Sequence, residues 1–337
     1  MIGYYAHHQG VGHLTRMQSI AAAVDEPVWG LSSATAPAGW TSGWTHLARD
    51  DDPDPAELAR HGDPSAHGVL HWAPRGHDGL ARRSAQITQW VVQERPRALV
   101  VDVSVEVAVL ARLCGVPTVV VAMPGDRSDR AHLLAYDTAD ALLAPWPRGS
   151  HDTGWPHEWT DKAWFVGGIS RFDHLTPQPV PPITGGGTVL VLWGAGGRST
   201  TAAELDAARA ATPSWTWVER APDIPSDTSL WDQLQQADVV VTHAGQNAVA
   251  EVAAARRAAV VIAQQRPFDE QEATARQVEA LGVAVGRTTW PSADSWPALL
   301  HLALERGGQG WSRWSTGAGA ADAAAQLHAL GLTAVRG

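Results

Sequence analysis

The chain has 337 residues, roughly twice a common domain length, so two domains are expected. Apolar residues make up 45% and charged residues 18%, enough for packed cores and unlike a disordered chain. A net charge of −10 argues against a basic nucleic-acid face, and a single cysteine, Cys114, excludes a disulfide framework or a cysteine-rich metal site.

The opening MIGYYAHHQG has no basic start before an apolar run, so no signal peptide is expected. Apolar runs such as 98–101 and 258–263 are far too short to cross a bilayer. A cytoplasmic location follows, with no transmembrane segment and at most peripheral membrane contact. Tryptophans number 17 against three phenylalanines. Several (Trp40, Trp44, Trp290, Trp296, Trp311, Trp314) sit in polar or Gly/Pro contexts, as packing residues or as platforms for a sugar ring or base.

In chain order, 1–6 reads as a strand, 14–24 as a helix and 27–31 as a strand. Segment 40–78 reads as loop. A helix over 79–94, a β-branched strand over 98–103 ending near Asp102, a helix over 106–114 and a strand over 117–122 follow. This rhythm means parallel βαβ units. Segment 147–162 again reads as loop, and DHLTPQPVPPITGGG (173–187) is Pro-rich then Gly-rich, a linker. Beyond it the alternation restarts: strand 188–193, helix 202–211, strand 215–219, helix 229–236, strand 237–242, helix 247–255, strand 258–263, helix 269–281 and a last helix over 319–330.

Two turns carry chemistry. The first is YAHHQGVGHLTR (5–16), a strand, the turn Gly10-Val11-Gly12, and a helix whose free N–H groups suit a phosphate or developing oxyanion. It is no full dinucleotide fingerprint, because Thr15 holds the third glycine position. His7 and His8 point to opposite faces of a strand and do not grip one ion, so no metal is expected. The acidic run 50–54 (Asp50, Asp51, Asp52, Asp54) reads as a solvated loop. Asp102, ending a strand, either orients a histidine or caps the next helix. The second turn is ADVVVTHAGQNAVAE (237–251), an apolar strand, then His243, Ala244 and Gly245, then a helix opening with Gln246 and Asn247. That helix start suits a diphosphate, and Glu251, one turn on from Asn247, reaches toward a ribose. Downstream, Asp269, Glu270 and Gln271 precede a helix as partners for sugar hydroxyls. His243 also reads as a turn cap, Glu251 as a solvated helix residue and Gln271 as a surface amide.

The order His-x-Gly, Glu, apolar strand, Pro, Asp-x-Gln, then Leu-Gly resembles the donor half of GT-B glycosyltransferases, nearest to family 28 and its family 1 cousins. The opening Gly-x-Gly-His resembles their acceptor-side glycine loop. VGGISR (166–171) and LWGAGG (192–197) occupy their linker entry and first donor-domain turn. Two places depart: Arg256-Arg257-Ala258 replaces Gly-x-Pro, and Thr274 stands where Asn is common.

The resemblance implies an α/β fold of two Rossmann-like doubly wound domains facing across a cleft. The boundaries expected are 1–172 on the acceptor side, a linker at 173–187, a donor domain over 188–318, and a helix and tail over 319–337 crossing back. It implies an inverting, metal-independent transfer from a nucleotide sugar, a UDP-sugar by preference, to an acceptor hydroxyl, with no other cofactor and no nucleic-acid partner. His13 would be the base, His8 the reserve and Asp102 the orienting carboxylate. Arg171, the loop Gly194, Gly196, Gly197 and Arg198, and residues 243–247 would meet the diphosphate. Gly10, Val11, Gly12 and Asp126 would form the acceptor-side loop. A sugar-nucleotide 2-epimerase of the same fold and an inactive nucleotide-sugar binding protein are the alternatives.

Overall fold

Strand β1 (Ile2–Ala6) is buried at all five positions, as befits a central parallel strand covered on both faces. A computed structural model describes residues 1–51, 62–180, 185–194, 196–224 and 226–334, with side chains through 330. The acidic run beyond Asp51, linker residues 181–184, Ala195 of the glycine loop and the tail 335–337 lie outside the described residues.

The first sheet adds β2 (Val28–Ser32), β3 (Trp44–His46), β4 (Ala98–Asp102), β5 (Thr118–Val121), β6 (Ala141–Ala144) and β7 (Ala163–Phe165). Its order is β3-β2-β1-β4-β5-β6-β7, with every pairing parallel. Helices α1 (Val11–Ala23), α2 (Asp78–Glu94), α3 (Val105–Leu113), α4 (Arg130–Thr138) and α5 (His157–Asp161) connect the strands. The order reverses between β1 and β4, and such a switch point opens a crevice at the carboxyl ends of its strands. Ala6 pairs with Asp102 there, so the residues after β1 and the end of β4 share one sheet edge.

The second sheet holds β8 (Thr188–Leu192), β9 (Thr216–Arg220), β10 (Val239–His243), β11 (Ala258–Ile262) and β12 (Val285–Arg287), in the order β12-β11-β10-β8-β9 and parallel throughout. Its helices are α6 (Ala202–Ala211), α7 (Leu230–Gln236), α8 (Gln246–Ala255), α9 (Glu270–Ala280) and α10 (Trp296–Arg306). The switch point lies between β8 and β10, so the 194–198 and 243–247 turns emerge side by side.

A final helix, α11 (Gly319–Ala334), returns to the first domain. Its Ala323 and Leu327 are buried in one cluster with Met17 and Ile20 of α1. Leu327, Met17 and Ile20 each contribute about 1.5–3 kcal/mol on burial. Arg97 Nη1 donates to Leu327 O at 2.7 Å, and Ser315 Oγ donates to Gly168 O at 2.8 Å, tying the crossover at both ends.

Both loops expected from the sequence contain short elements. Strand β3 lies within 40–78, where Trp44 presses flat on Gly30, and α5 lies within 147–162, anchored by buried Trp159. In each, one tryptophan supplies the packing that a longer apolar pattern supplies elsewhere, so no periodicity advertises it. Trp296 and Trp311 are fully buried and Trp314 nearly so, which makes them core residues.

Candidate active site

Helix α1 begins after Gly10, whose φ of 91° suits glycine, and places His13 and Arg16 one turn apart on the same face. Both reach Asp102. His13 Nδ1 lies 2.8 Å from Asp102 Oδ1; Arg16 Nε and Nη2 donate to its two oxygens at 2.9 Å, and Tyr4 donates its hydroxyl at 2.9 Å. Asp102 is fully buried. Burial alone would raise its pKa; Arg16 and then His13 overturn that and hold the carboxyl well below the usual range. An ionised carboxylate only accepts, so the proton sits on His13 Nδ1 and Nε2 is left as the basic nitrogen. Val103, directly after Asp102, is β-branched yet has φ of 63°. That strain, about 1–3 kcal/mol, turns the chain so that Ser104 caps α3.

Beside the dyad, the first domain encloses a cavity of about 420 Å3, within the range of small-molecule sites. Val103, Val120, Met123 and Tyr136 form part of its apolar wall, and His8 and Asp51 part of its polar wall. His7 stacks on His8 at 4.8 Å between ring centroids and meets His13 edge-on at 6.1 Å. Burial, with the neighbouring His13 and His8, pushes the His7 imidazole down to about 3, so it is neutral at ordinary pH.

In the second domain, His243 ends β10 and its Nδ1 accepts the Gly245 N–H at 3.1 Å. Burial, helped by Arg266, pushes it down to about 4. Gly194 is required opposite it, since a Cβ there would stand 2.4 Å from His243 Nε2. Helix α8 then presents Gln246 and Asn247 at its N-terminus, with Ala244 buried beneath. Arg171 Nε and Glu251 Oε1 form an ion pair at 2.8 Å; burial raises the Glu251 carboxyl and Arg171 opposes that rise. The glycine loop is stitched to the segment after β11: Arg266 Nη2 donates to Gly196 O at 2.7 Å and Gln264 Nε2 to Gly197 O at 3.2 Å. Arg198 turns to Asp223 (2.7 Å) and Glu219 (3.7 Å) at the β9 edge. Gln271 is buried, and its Oε1 accepts the Gln264 N–H at 3.0 Å, leaving only its amide nitrogen for a ligand. A narrow pocket of about 20 Å3 beside His243 has Trp193 and Trp290 in its wall, their rings 6.1 Å apart.

The two halves touch through these same residues. Arg16 Nη1 donates to Gln246 Oε1 at 2.6 Å, and Asn247 Nδ2 donates to Gly12 O at 3.2 Å. Phe268 and Asp269 both adopt left-handed backbone (φ 62° and 52°) and push the Phe268 ring against His132 (4.8 Å), His71 (5.6 Å) and the Arg127 guanidinium (4.8 Å). Asp126 N donates to Phe268 O at 2.9 Å. Gly125 makes that approach possible, because a Cβ there would be 2.0 Å from the Phe268 carbonyl oxygen. Glu270 lies 3.5 Å from Arg127; burial raises its pKa against the pull of Arg127, Arg16, His13 and Arg266.

The structure thus unites His13 with Asp102, sets His8 with Asp51 (Nε2 to Oδ2, 3.0 Å) on the cavity wall, and gathers Gly12, Asp126, Gln246, Asn247 and Glu270 at the domain contact. Val11 is exposed at the start of α1. Arg198 stands apart from this group, paired at the β9 edge. Arg16, Arg127, Arg266 and Phe268 were not singled out as site residues in the sequence. Only Arg16 left a signal, its three-residue spacing from His13. Among the described residues, two groups bring three His and Asp ligand atoms within 4.8 Å of one another: His71–Asp129–His132 and His8–Asp50–Asp51. In the first, Arg127 Nη1 lies 3.3 Å from His132 Nε2 and can only donate to it. The His132 proton therefore sits on Nδ1 against Asp129, where a cation would need a lone pair.

Residues 224–288 match the C-terminal domain of glycosyltransferase family 28. No curated protein matches the chain in sequence. Among solved structures, the chain is similar to the kitacinnamycin glycotransferase, with TM-score 0.66, 17% identity and 98% of each chain covered. It is also similar to the glycosyltransferase SnogD from Streptomyces nogalater (TM-score 0.61, 16% identity, covering 98% of this chain and 99% of that one). MurG of Acinetobacter baumannii gives TM-score 0.58 and 15% identity over 98% of each chain. The chain therefore has the GT-B fold, and residues 224–288 of its second half are similar to the C-terminal domain of glycosyltransferase family 28.

Proposed function

We propose that the protein transfers a sugar from a nucleoside diphosphate donor, a UDP-sugar by preference, to a hydroxyl of a small acceptor held in the first-domain cavity. The observation that carries this is the half-buried His13 held on the fully buried Asp102, coupled through Arg16 to the Gln246 end of α8. In the reaction the acceptor O–H gives its proton to His13 Nε2 and its oxygen bonds the anomeric carbon. The bond from that carbon to the diphosphate breaks, its electron pair leaves with the diphosphate, and the configuration inverts. Asp102 fixes the imidazole and stabilises the imidazolium that forms. Such a base contributes about 10²–10⁴-fold.

The leaving charge would be met by the N–H groups of 245–247 and the Arg266 guanidinium beside the glycine loop. His243 is uncharged at neutral pH and would act there by shape and hydrogen bonding. Glu251, with Arg171, would hold the ribose; Asp269, Glu270 and the Gln271 amide nitrogen would hold sugar hydroxyls. This assembly is served by protein groups without a metal ion. The cavity in the first domain favours transfer over 2-epimerisation, which needs no acceptor space.

The test is a thermal-shift series with uridine, thymidine and guanosine diphosphates, followed by mass spectrometry of acceptor product with wild type and His13→Ala. Stabilisation by at least one diphosphate and loss of product in the variant are expected. No shift with any of them removes the donor reading, and undiminished product from His13→Ala removes the base.

A further inference from the structure

We infer that His7 reads the acceptor, donating a hydrogen bond from Nε2 to a second oxygen, a carbonyl or an ether, that lies a few bonds from the reacting hydroxyl. His7 directly follows β1, and its backbone N–H donates to Asp102 O at 3.3 Å, which fixes it beside the dyad. It lines the cavity, and its ring stacks on His8 and meets His13 edge-on, with centroids 6.1 Å apart. His13 thus adjoins the cavity through His7. A molecule seated in the cavity with its hydroxyl at His13 lies along His7.

The neighbours of His7 place its proton. The Gln9 backbone N–H donates to Nδ1 at 3.2 Å, which engages the lone pair of that nitrogen. Burial, with His13 and His8 nearby, keeps the ring uncharged, so its one proton is on Nε2. Nε2 has no hydrogen-bond partner among the described residues. The histidine nitrogens there that are both unpartnered and sealed from solvent belong to His8, His77 and His151, so His7 Nε2 is an accessible donor. A few polar groups placed in a mostly apolar wall are what orient a small ligand. The base takes an O–H and His7 gives an N–H, so the acceptor presents a hydroxyl and an oxygen acceptor on one edge. With the two rings 6.1 Å apart, those oxygens sit a few bonds from each other. An isolated alcohol satisfies only half of the pair.

This inference rests on the cavity being the acceptor site of the proposed transferase. It is tested by equilibrium dialysis of the whole chain with two phenols of one shape, 7-hydroxy-1-tetralone, which has a ketone oxygen, and 5,6,7,8-tetrahydro-2-naphthol, which lacks it. Wild type should bind the ketone about fivefold more tightly. His7→Phe, which keeps a flat ring without a donor, should bind both alike, its near-UV circular dichroism serving as the check on folding. In wild type the C=O stretch of the bound ketone should fall below its value in an apolar solvent, a readout that needs no variant. Equal binding of the two phenols by wild type, no saturable binding of the ketone, an unshifted C=O stretch, or a preference that survives in folded His7→Phe overturns the inference. A failed nucleoside diphosphate shift would remove the donor reading and leave this comparison readable on its own.

Discussion

Asp102→Asn is the sharpest perturbation of the dyad. The carboxylate faces Arg16, which is 4% exposed, and His13, and it receives four hydrogen bonds. Asparagine keeps the shape but removes the charge that neutralises Arg16, leaving a buried cation alone. Breaking a buried pair from one side costs about 3–5 kcal/mol. The residual bonds of the amide and the Arg16–Gln246 contact put the expected loss near the lower end, about 3 kcal/mol. A domain stable by about 5–15 kcal/mol remains folded, so activity can be read. With no anion to hold the proton on Nδ1, the imidazole loses its fixed tautomer, and kcat should fall about 10³–10⁴-fold. Urea unfolding followed by tryptophan emission measures the first effect, and product formation with saturating donor the second. The sign of the pH dependence is a further check. Because the folded pKa is depressed, the contribution of Asp102 is fully present above the unfolded carboxylate value and is lost as pH falls below it. The gap between wild type and variant should therefore close on acidification. A stability loss under 1 kcal/mol together with kcat within tenfold of wild type would refute the reasoning.

Gly125→Ala places a methyl group against the Phe268 carbonyl at a positive φ, so it should raise donor and acceptor KM together, read in steady-state kinetics with both substrates varied. Unchanged constants would show that the contact between the halves is incidental. Phe268→Ala should weaken the same contact more mildly, with about a fivefold to thirtyfold rise in KM, about 1–2 kcal/mol for lost aromatic and cation–π packing. His7, His132, His151 and His243 are pushed down to about 3, 4, 3 and 4, chiefly by burial. Their folded values lie below the unfolded value of about 6.5, so the unfolded chain binds more protons and stability should fall as pH drops from about 6.5 toward 4. A flat unfolding free energy between pH 6.5 and 5 in urea titrations would contradict those burials. Arg266→Met should weaken nucleoside diphosphate binding about tenfold while leaving nucleoside binding alone, measured by calorimetry; an equal loss for both would move Arg266 off the phosphates.

The βαβ rhythm was legible because its strands are short β-branched runs and its helices carry ordinary stop signals, as at Gly115. Strands β6, β7 and β12 and helices α4 and α10 escaped the reading, and β3 and α5 lie in segments expected as loop, each held by one residue: β3 by Trp44 against Gly30, α5 by Trp159, whose indole donates to Asp137. Within the site, His13, Asp102 and the 243–247 turn could be read because each ends a strand or begins a helix. Arg127 and Phe268 could not, because their meaning depends on two loops more than a hundred residues apart meeting. No local pattern marks a phenylalanine whose backbone must be left-handed to reach across a cleft. Arg198 shows the converse: its place in a glycine loop suggests a phosphate, and two carboxylates at the neighbouring strand edge engage it.

The seating of Phe268 on His71 and His132 also sets a rule for recombining chains of this fold. The loop over 125–132 and the loop over 266–271 are matched halves of one joint, the glycine cut to the carbonyl and the ring cut to the histidines. A hybrid that takes its acceptor half from this chain and its donor half from a relative of the same fold would inherit one half of the joint without the other. Moving both loops as a unit, whichever parent supplies them, is the arrangement that keeps the seam intact.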